Sequence, residues 1–324
     1  MPDRLTRDSP IVDFGGHIVA EGIVPEFIEP LDEIIGPAHN DPDLVLERYR
    51  DAGIDRVVLS QPAYMGHGDA DAVAESNDVL RDIVDDYEEF YGLAAIPTPA
   101  GGEEAAAELE RCLENGFNGG AIETMSDGIE LDDEEVEPIF DVAEKHDAPL
   151  LIHPKIDVSL NEEVDVLTDR YRLNAIFGRE AALSESIFKL VHQGILEDRP
   201  DLNLVFHHLG GNIASMLGRA HLHLDIGRWP GQEHVKPFDE FKRIIEDRVY
   251  LDSSGFWGYH APLRTTLEEF PASQVLFGTD APYEPRSAEE LRDHAKTVAD
   301  VTSATDGDAV LGENALDLMV NVDE

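Results

Sequence analysis

The stretch IVDFGGHIVA, Ile11 to Ala20, begins as the apolar run of a strand and stops in Asp13, the pair Gly15-Gly16 and then His17. The same form returns along the chain. LLIHPK (150–155) ends an apolar run in His153, LVFHHLGG (204–211) ends one in His207 and His208, and VLFGTDAP (275–282) ends one in Asp280. Short apolar runs therefore carry candidate chemistry at their C-terminal ends.

Between them lie longer acidic stretches with helical spacing: Asp71 to Glu89, Gly102 to Asn115, Asp133 to His146, Glu180 to Glu197, Asp239 to Asp247 and Pro262 to Phe270. Many open on acidic residues, as helix N-termini favour. Candidate strands are Ile11 to Phe14, Arg56 to Ser60, Tyr91 to Ile96, Gly119 to Ile122, Pro149 to Ile152, Leu202 to Phe206, Val249 to Asp252 and Val275 to Phe277. Strand and helix alternating in this way predict an α/β chain folded as a (β/α)₈ TIM barrel in a single domain over 1–324. A doubly wound open sheet is the rival, weakened because no glycine-rich phosphate fingerprint follows the first strand. Two segments exceed the minimal pattern, about 19–40 and 155–177. Both leave the predicted C-terminal face, so they read as lid or pocket material.

Composition narrows the partners. The 69 Asp plus Glu against 24 Lys plus Arg give a formal charge of -45, which excludes nucleic acid as an expected partner. The carboxylates run along the whole chain and lysine is scarce, which suits an acidic surface adapted to concentrated salt, a halophilic reading. Cys112 is the only cysteine, so a Cys-based zinc site is excluded and a metal must use His, Asp or Glu. No signal-like N-terminus and no run of about 18 apolar residues occurs, so no membrane association and a cytoplasmic location are expected. The expected partner is a small-molecule substrate, with a homodimer left open.

A lone histidine is as often a partly buried polar filler as a ligand, and His39, His67, His146, His234 and His294 fall in polar helix or loop contexts. His17, His153, His207, His208 and Asp280 differ, because they gather at the ends of the first, fifth, sixth and eighth strands, where barrel enzymes keep their chemistry. Neutral imidazole and carboxylate suit a divalent cation, Zn²⁺ first and Mn²⁺ as the alternative, with a position left for water. A further histidine then moves the proton.

Together IVDFGGH, LDDEEVEPIFDVAEKHDAPLLIHP, GILEDRPDLNLVFHHLGG, GRAHL, VYLDSSGF, VLFGTDAPYEP and AVLGENALDLM resemble the amidohydrolase superfamily. The likeness is to the amidohydrolase-related branch that includes aminocarboxymuconate semialdehyde decarboxylase, resorcylate-type decarboxylases and pyrone-dicarboxylate lactonase. The resemblance implies His17, His153 and Asp280 as metal ligands, and His208 with Asp280 as the catalytic proton-transfer groups. His207 takes a position commonly small or apolar in the family and reads as strand-flanking filler. The family places a His or Glu two residues before His17, where this chain has Gly15. Three protein ligands plus water still complete a tetrahedral catalytic zinc site, and Glu21 or Glu123 is a candidate substitute oxygen. A histidine placed at 15 is expected to point at the same metal as His17, and one at 16 to point away.

For substrate, Arg219, Lys155, Trp257, His260 and Tyr283 fall on predicted C-terminal-face loops, and an Arg there suits a carboxylate. The resemblance implies a metal-dependent hydrolase or decarboxylase acting on a small carboxylic acid, aromatic and cyclic acids among the candidates. The alternatives are a metal-independent lactonase-like hydrolase on the same barrel, motivated by Gly15, and a catalytically inactive ligand-binding barrel.

Overall fold

The computed structural model describes residues 9–25, 35–36, 39–155, 171–225, 227–302 and 306–322. Eight strands form one all-parallel sheet in sequence order: β1 (Val12–His17), β2 (Arg56–Ser60), β3 (Phe90–Ala95), β4 (Gly119–Glu123), β5 (Pro149–His153), β6 (Asn203–Phe206), β7 (Val249–Asp252) and β8 (Val275–Leu276). The ends of the sheet meet. Phe14 N donates to Phe277 O at 2.8 Å, Asp280 N to Gly15 O at 2.9 Å and His17 N to Ala281 O at 2.9 Å, which closes β1 onto the chain leaving β8. The (β/α)₈ barrel is thus the fold.

The principal helices on its outside are α1 (Pro42–Ala52), α2 (Ala70–Asp86), α3 (Gly102–Glu114), α4 (Glu137–Lys145), α5 (Arg179–Gln193), α6 (Ile213–Leu224), α7 (Phe238–Arg248), α8 (His260–Glu269) and α9 (Ala288–Val301). Their ends follow local chemistry. Asp41 caps α1 by accepting from Asp43 N and Leu44 N, while Ser287 and Glu290 form a reciprocal capping box on α9; each cap satisfies N–H groups that a helix start leaves free. The stretch expected as one helix from Glu180 to Glu197 is divided at Gly194, whose φ of 83° ends α5 before a short turn of helix resumes.

Strand alternation sorts the core into two layers. Val58, Leu93, Ala121, Leu151 and Val205 fill the barrel interior, whereas Leu59, Ile122, Ile152 and Phe206 face the helices. Ala315, Leu318 and Met319 join the interior layer, and Asn118, just before β4, holds the C-terminal segment by donating to Val320 O at 2.9 Å. The N-terminal end of the barrel is thereby sealed and chemistry is left to the other end. The segments expected as insertions fall largely outside the described residues. Among the described residues, no helix is long and apolar enough to cross a membrane.

Candidate active site

The interior alternation decides which strand-end residues meet. On β6 Val205 points inward, so His207 does too; on β5 Leu151 and His153 share the inner face, and on β2 Val58 and Ser60 do. β1 departs from this rule, because its register with β2 shifts between Asp13 and Gly16. The irregularity brings His17 inward.

His17, His153, His207 and Asp280 are all buried, and each offers one ligand atom within 4.8 Å of the others'. His17 Nδ1 lies 2.8 Å from Ser60 Oγ, which leaves Nε2 3.1 Å from Asp280 Oδ1. His207 Nδ1 lies 2.5 Å from Asp252 Oδ2, which leaves its Nε2 3.9 Å from the same Asp280 oxygen. His17 Nε2, His207 Nε2 and Asp280 Oδ1 are buried without hydrogen-bond partners among the described residues. Buried polar atoms in native proteins are almost always satisfied, so ligand atoms converging in this way suit a shared bound partner such as a cation. Burial lowers the pKa of His17, and burial with the neighbouring His207 and His17 rings lowers that of His153 strongly. Both are held as neutral imidazoles, the ligating form. This donor set fits a divalent cation.

Reading His207 as filler is corrected by this geometry, since its ring is wholly buried and belongs to the group. The signal was legible: His207 directly follows β6, two residues after the inward-facing Val205. The expectation for position 15 changes with it. A Cβ at Gly15 would stand 2.8 Å from His207 Cε1, so a side chain there meets that ring first, and a Cβ at Gly16 would strike Val57 Cγ2. Glu21 is exposed and Glu123 accepts from Ser126 Oγ at 2.9 Å; neither joins the group.

His208 faces the other side of Asp280. Its Nδ1 is 2.8 Å from Glu180 Oε1 and its Nε2 3.4 Å from Asp280 Oδ2. Burial opposes the imidazolium, but Asp280 and Glu180 outweigh it and raise the pKa of His208 well above the ordinary value. The Asp280 carboxyl is pulled the other way: burial opposes ionisation, but contacts from His17, His207 and His208 hold it well below the usual range. His208 and Asp280 both take left-handed backbone, with φ of 53° and 56°. Non-glycine residues seldom adopt it, and such strain clusters at functional sites. Glu180, unremarkable in the sequence, reaches His208 because Gly211 has no side chain: a Cβ there would strike Glu180 O.

Of the residues expected to bind substrate, three lie close by. Lys155 is buried, and its Nζ has no hydrogen-bond partner among the described residues. The Tyr283 ring stands 5.6 Å from the His17 ring. Trp257, anchored by Nε1 donating to Glu290 O at 2.9 Å, lines a cavity of about 470 Å³ with Gly255, Phe256, Tyr259 and Glu284. Glu284 was not singled out in the sequence. It groups with His208 and Asp280, and burial and the Asp280 charge push its carboxyl up to about 7. The other two do not join. Arg219 is exposed on α6, and His260 opens α8 with Nε2 4.0 Å from Asp300 on α9.

The family model described as Amidohydrolase matches residues 26–319. The 2-amino-3-carboxymuconate-6-semialdehyde decarboxylase of Dictyostelium discoideum is 30% identical over 187 residues, covering 55% of this chain and 50% of that protein. The gamma-resorcylate decarboxylase of Rhizobium sp. is 25% identical over 273 residues, covering 80% of each. The crystal structure of a dihydroxybenzoic acid decarboxylase from Polaromonas sp., with bound manganese and 2-nitroresorcinol, shares the fold with a TM-score of 0.79 at 22% identity, covering 96% of each chain. With histidines and an aspartate converging at the C-terminal end of a barrel, and a family match running over most of its length, the chain belongs to the amidohydrolase family.

Proposed function

We propose that this protein is a divalent-metal-dependent decarboxylase of a small aromatic or cyclic carboxylic acid. Supporting it are the relatives named as decarboxylases, one of them of gamma-resorcylate, an aromatic acid, and one observation above the rest: Asp280 divides its carboxylate. Oδ1 faces the ligand atoms of His17 and His207, and Oδ2 faces His208. A cation site and a proton donor therefore share one residue, beside a cavity of about 470 Å³.

His17, His153 and Asp280 would hold the ion, Zn²⁺ by the donor types or Mn²⁺ as in the Polaromonas enzyme. A cation held there would supply positive charge to bind and polarise an anionic substrate. Lys155, two residues after His153, is the basic side chain we assign to the substrate carboxylate. His208 donates the proton on Nε2 to the carbon that bears the carboxylate. The bond from that carbon to the carboxylate carbon then breaks, CO₂ leaves, and the electron pair stays with the ring. Glu180, hydrogen-bonded at Nδ1, orients the imidazolium beforehand, and the neutral imidazole recovers its proton from solvent. No nucleic-acid partner is expected of a chain with a charge of -45.

The test is a panel of ortho-hydroxylated benzoates and heteroaromatic acids, alongside lactones and amides, assayed with metal-reconstituted protein for CO₂ release and for ring-opening. CO₂ from an acid, lost on chelation, is the expected result. Hydrolysis of lactones or amides without CO₂ release would replace this reading by the hydrolytic one, and turnover that survives complete metal removal would replace it by the metal-independent one.

A further inference from the structure

We infer that His207, delivered from β6 and oriented by Asp252 of β7, supplies the metal ligand that β1 lacks at Gly15. The inference rests on the metal reading above and adds a residue to it. Three observations converge on it. First, His207 fills the space a β1 ligand would use: a Cβ at Gly15 would come within 2.8 Å of His207 Cε1. A side chain at 15 and this ring orientation exclude one another, so glycine at 15 and histidine at 207 are one arrangement.

Second, only one ring nitrogen of His207 is available. Nδ1 is engaged by Asp252 Oδ2 at 2.5 Å and by Ser254 Oγ at 3.1 Å. Nε2 is buried, has no hydrogen-bond partner among the described residues, and lies 3.9 Å from Asp280 Oδ1. The His207 ring centroid is 5.4 Å from that of His17 and 5.1 Å from that of His153.

Third, Asp252 is itself fixed. Its Oδ1 accepts from Ser254 N at 3.0 Å, and its carboxylate packs where Gly278 has no side chain, since a Cβ there would lie 2.8 Å from Asp252 Cγ. A carboxylate that holds the far nitrogen of an imidazole is how metal-ligating histidines are oriented and made more basic. A buried ion pair serving only to join β6 to β7 would not require the opposite nitrogen to be left bare against Asp280.

Chelator-competition titrations with Zn²⁺ and with Co²⁺ test this on the purified wild type, His207→Ala, Asp252→Asn and the double variant Gly15→His/His207→Ala. Wild type should bind one ion per chain. His207→Ala should weaken affinity at least a hundredfold, Asp252→Asn about ten- to a hundredfold, and the double variant should recover at least tenfold over His207→Ala by returning the ligand to β1. Melting of the metal-free proteins separates a ligand from a structural filler: a filler would lower that melting temperature and leave affinity unchanged. Because any variant can misfold, the Co²⁺ wild type supplies an independent count by proton NMR. Three hyperfine-shifted, solvent-exchangeable imidazole N–H signals are expected, from His17, His153 and His207. Two signals, or equal affinity in wild type and folded His207→Ala, would overturn the inference while leaving a metal enzyme. A wild type that takes up no ion would overturn the metal reading as well.

Discussion

Asp13 of β1 and Thr279, just past β8, are joined twice: Oδ1 accepts from Thr279 N at 3.0 Å and Oδ2 from Thr279 Oγ1 at 2.5 Å. The same carboxylate accepts from Gly15 N at 2.9 Å and from Tyr49 OH at 2.6 Å. Four donors around one buried acid lock the first strand to the last, next to His17 and Asp280. Burial still pushes the Asp13 carboxyl up to about 6 against those hydrogen bonds.

Removing this clasp should cost stability before it costs chemistry. Asp13→Ala strands buried donors on both strands and is expected to destabilise by about 3 kcal/mol, whereas Tyr49→Phe removes one bond at about 1 kcal/mol. Denaturant unfolding of the metal-free protein measures both. An Asp13→Ala variant as stable as wild type would show that the closure is held elsewhere.

His208→Asn should lower kcat by roughly 10²- to 10⁴-fold, the usual weight of a positioned proton donor, with metal content unchanged. Glu180→Gln should lower it less and move the basic limb of the pH profile to lower pH, since Glu180 acts through His208 by holding its pKa up. If His208→Asn loses its metal, or keeps full turnover, His208 is not the proton donor.

Lys155→Met should move two quantities in opposite directions. Lys155 Nζ is buried with no hydrogen-bond partner among the described residues, which is costly for a polar group, so the ligand-free protein should gain roughly 1 kcal/mol, while affinity for a carboxylate inhibitor should fall about tenfold or more. Calorimetry of inhibitor binding and thermal melts on the same samples check both signs. Unchanged inhibitor affinity would remove Lys155 from the substrate site.

His294 on α9 gives a pH prediction. Burial lowers its pKa to about 4 from the ordinary 6.5, opposed by the contacts with Gly278 and Ser253. Below 6.5 the unfolded chain therefore binds a proton that the folded chain refuses. The contribution of this residue is fully present above pH 6.5 and is lost as pH falls towards 4, by about 3 kcal/mol in all. His294→Gln keeps an N–H donor for Gly278 O without the titration, so its stability curve should be flatter than wild type between those values. Parallel curves would locate the acid sensitivity at other groups.

Salt should stabilise the fold. With a formal charge of -45, self-repulsion grows as the Debye length lengthens below about 0.5 M salt. Melting temperatures across a KCl series are expected to rise with concentration. A flat or falling series would end the halophilic reading.

The barrel was legible in the residues alone, because alternating apolar runs and amphipathic acidic stretches admit few architectures, and in a barrel every strand ending in His or Asp presents it at the same end. That was enough to bring His17, His153, His208 and Asp280 into one place. What it left open was which atoms meet across strands that are far apart in the chain. Alternation assigns a residue to a face only while the register is regular, and β1 breaks register between Asp13 and Gly16. Gly15 therefore read as a vacancy beside His17, although its space is taken by His207 from β6. Asp252 and Glu180 looked like two more carboxylates in an acidic chain until closure put one against His207 and the other against His208. Arg219 and His260 had the right neighbours in sequence, but α6 leaves Arg219 exposed and the start of α8 sets His260 beside Asp300. Sequence pattern decides the face of a strand, and only the closed barrel decides which side chains share the space at its mouth.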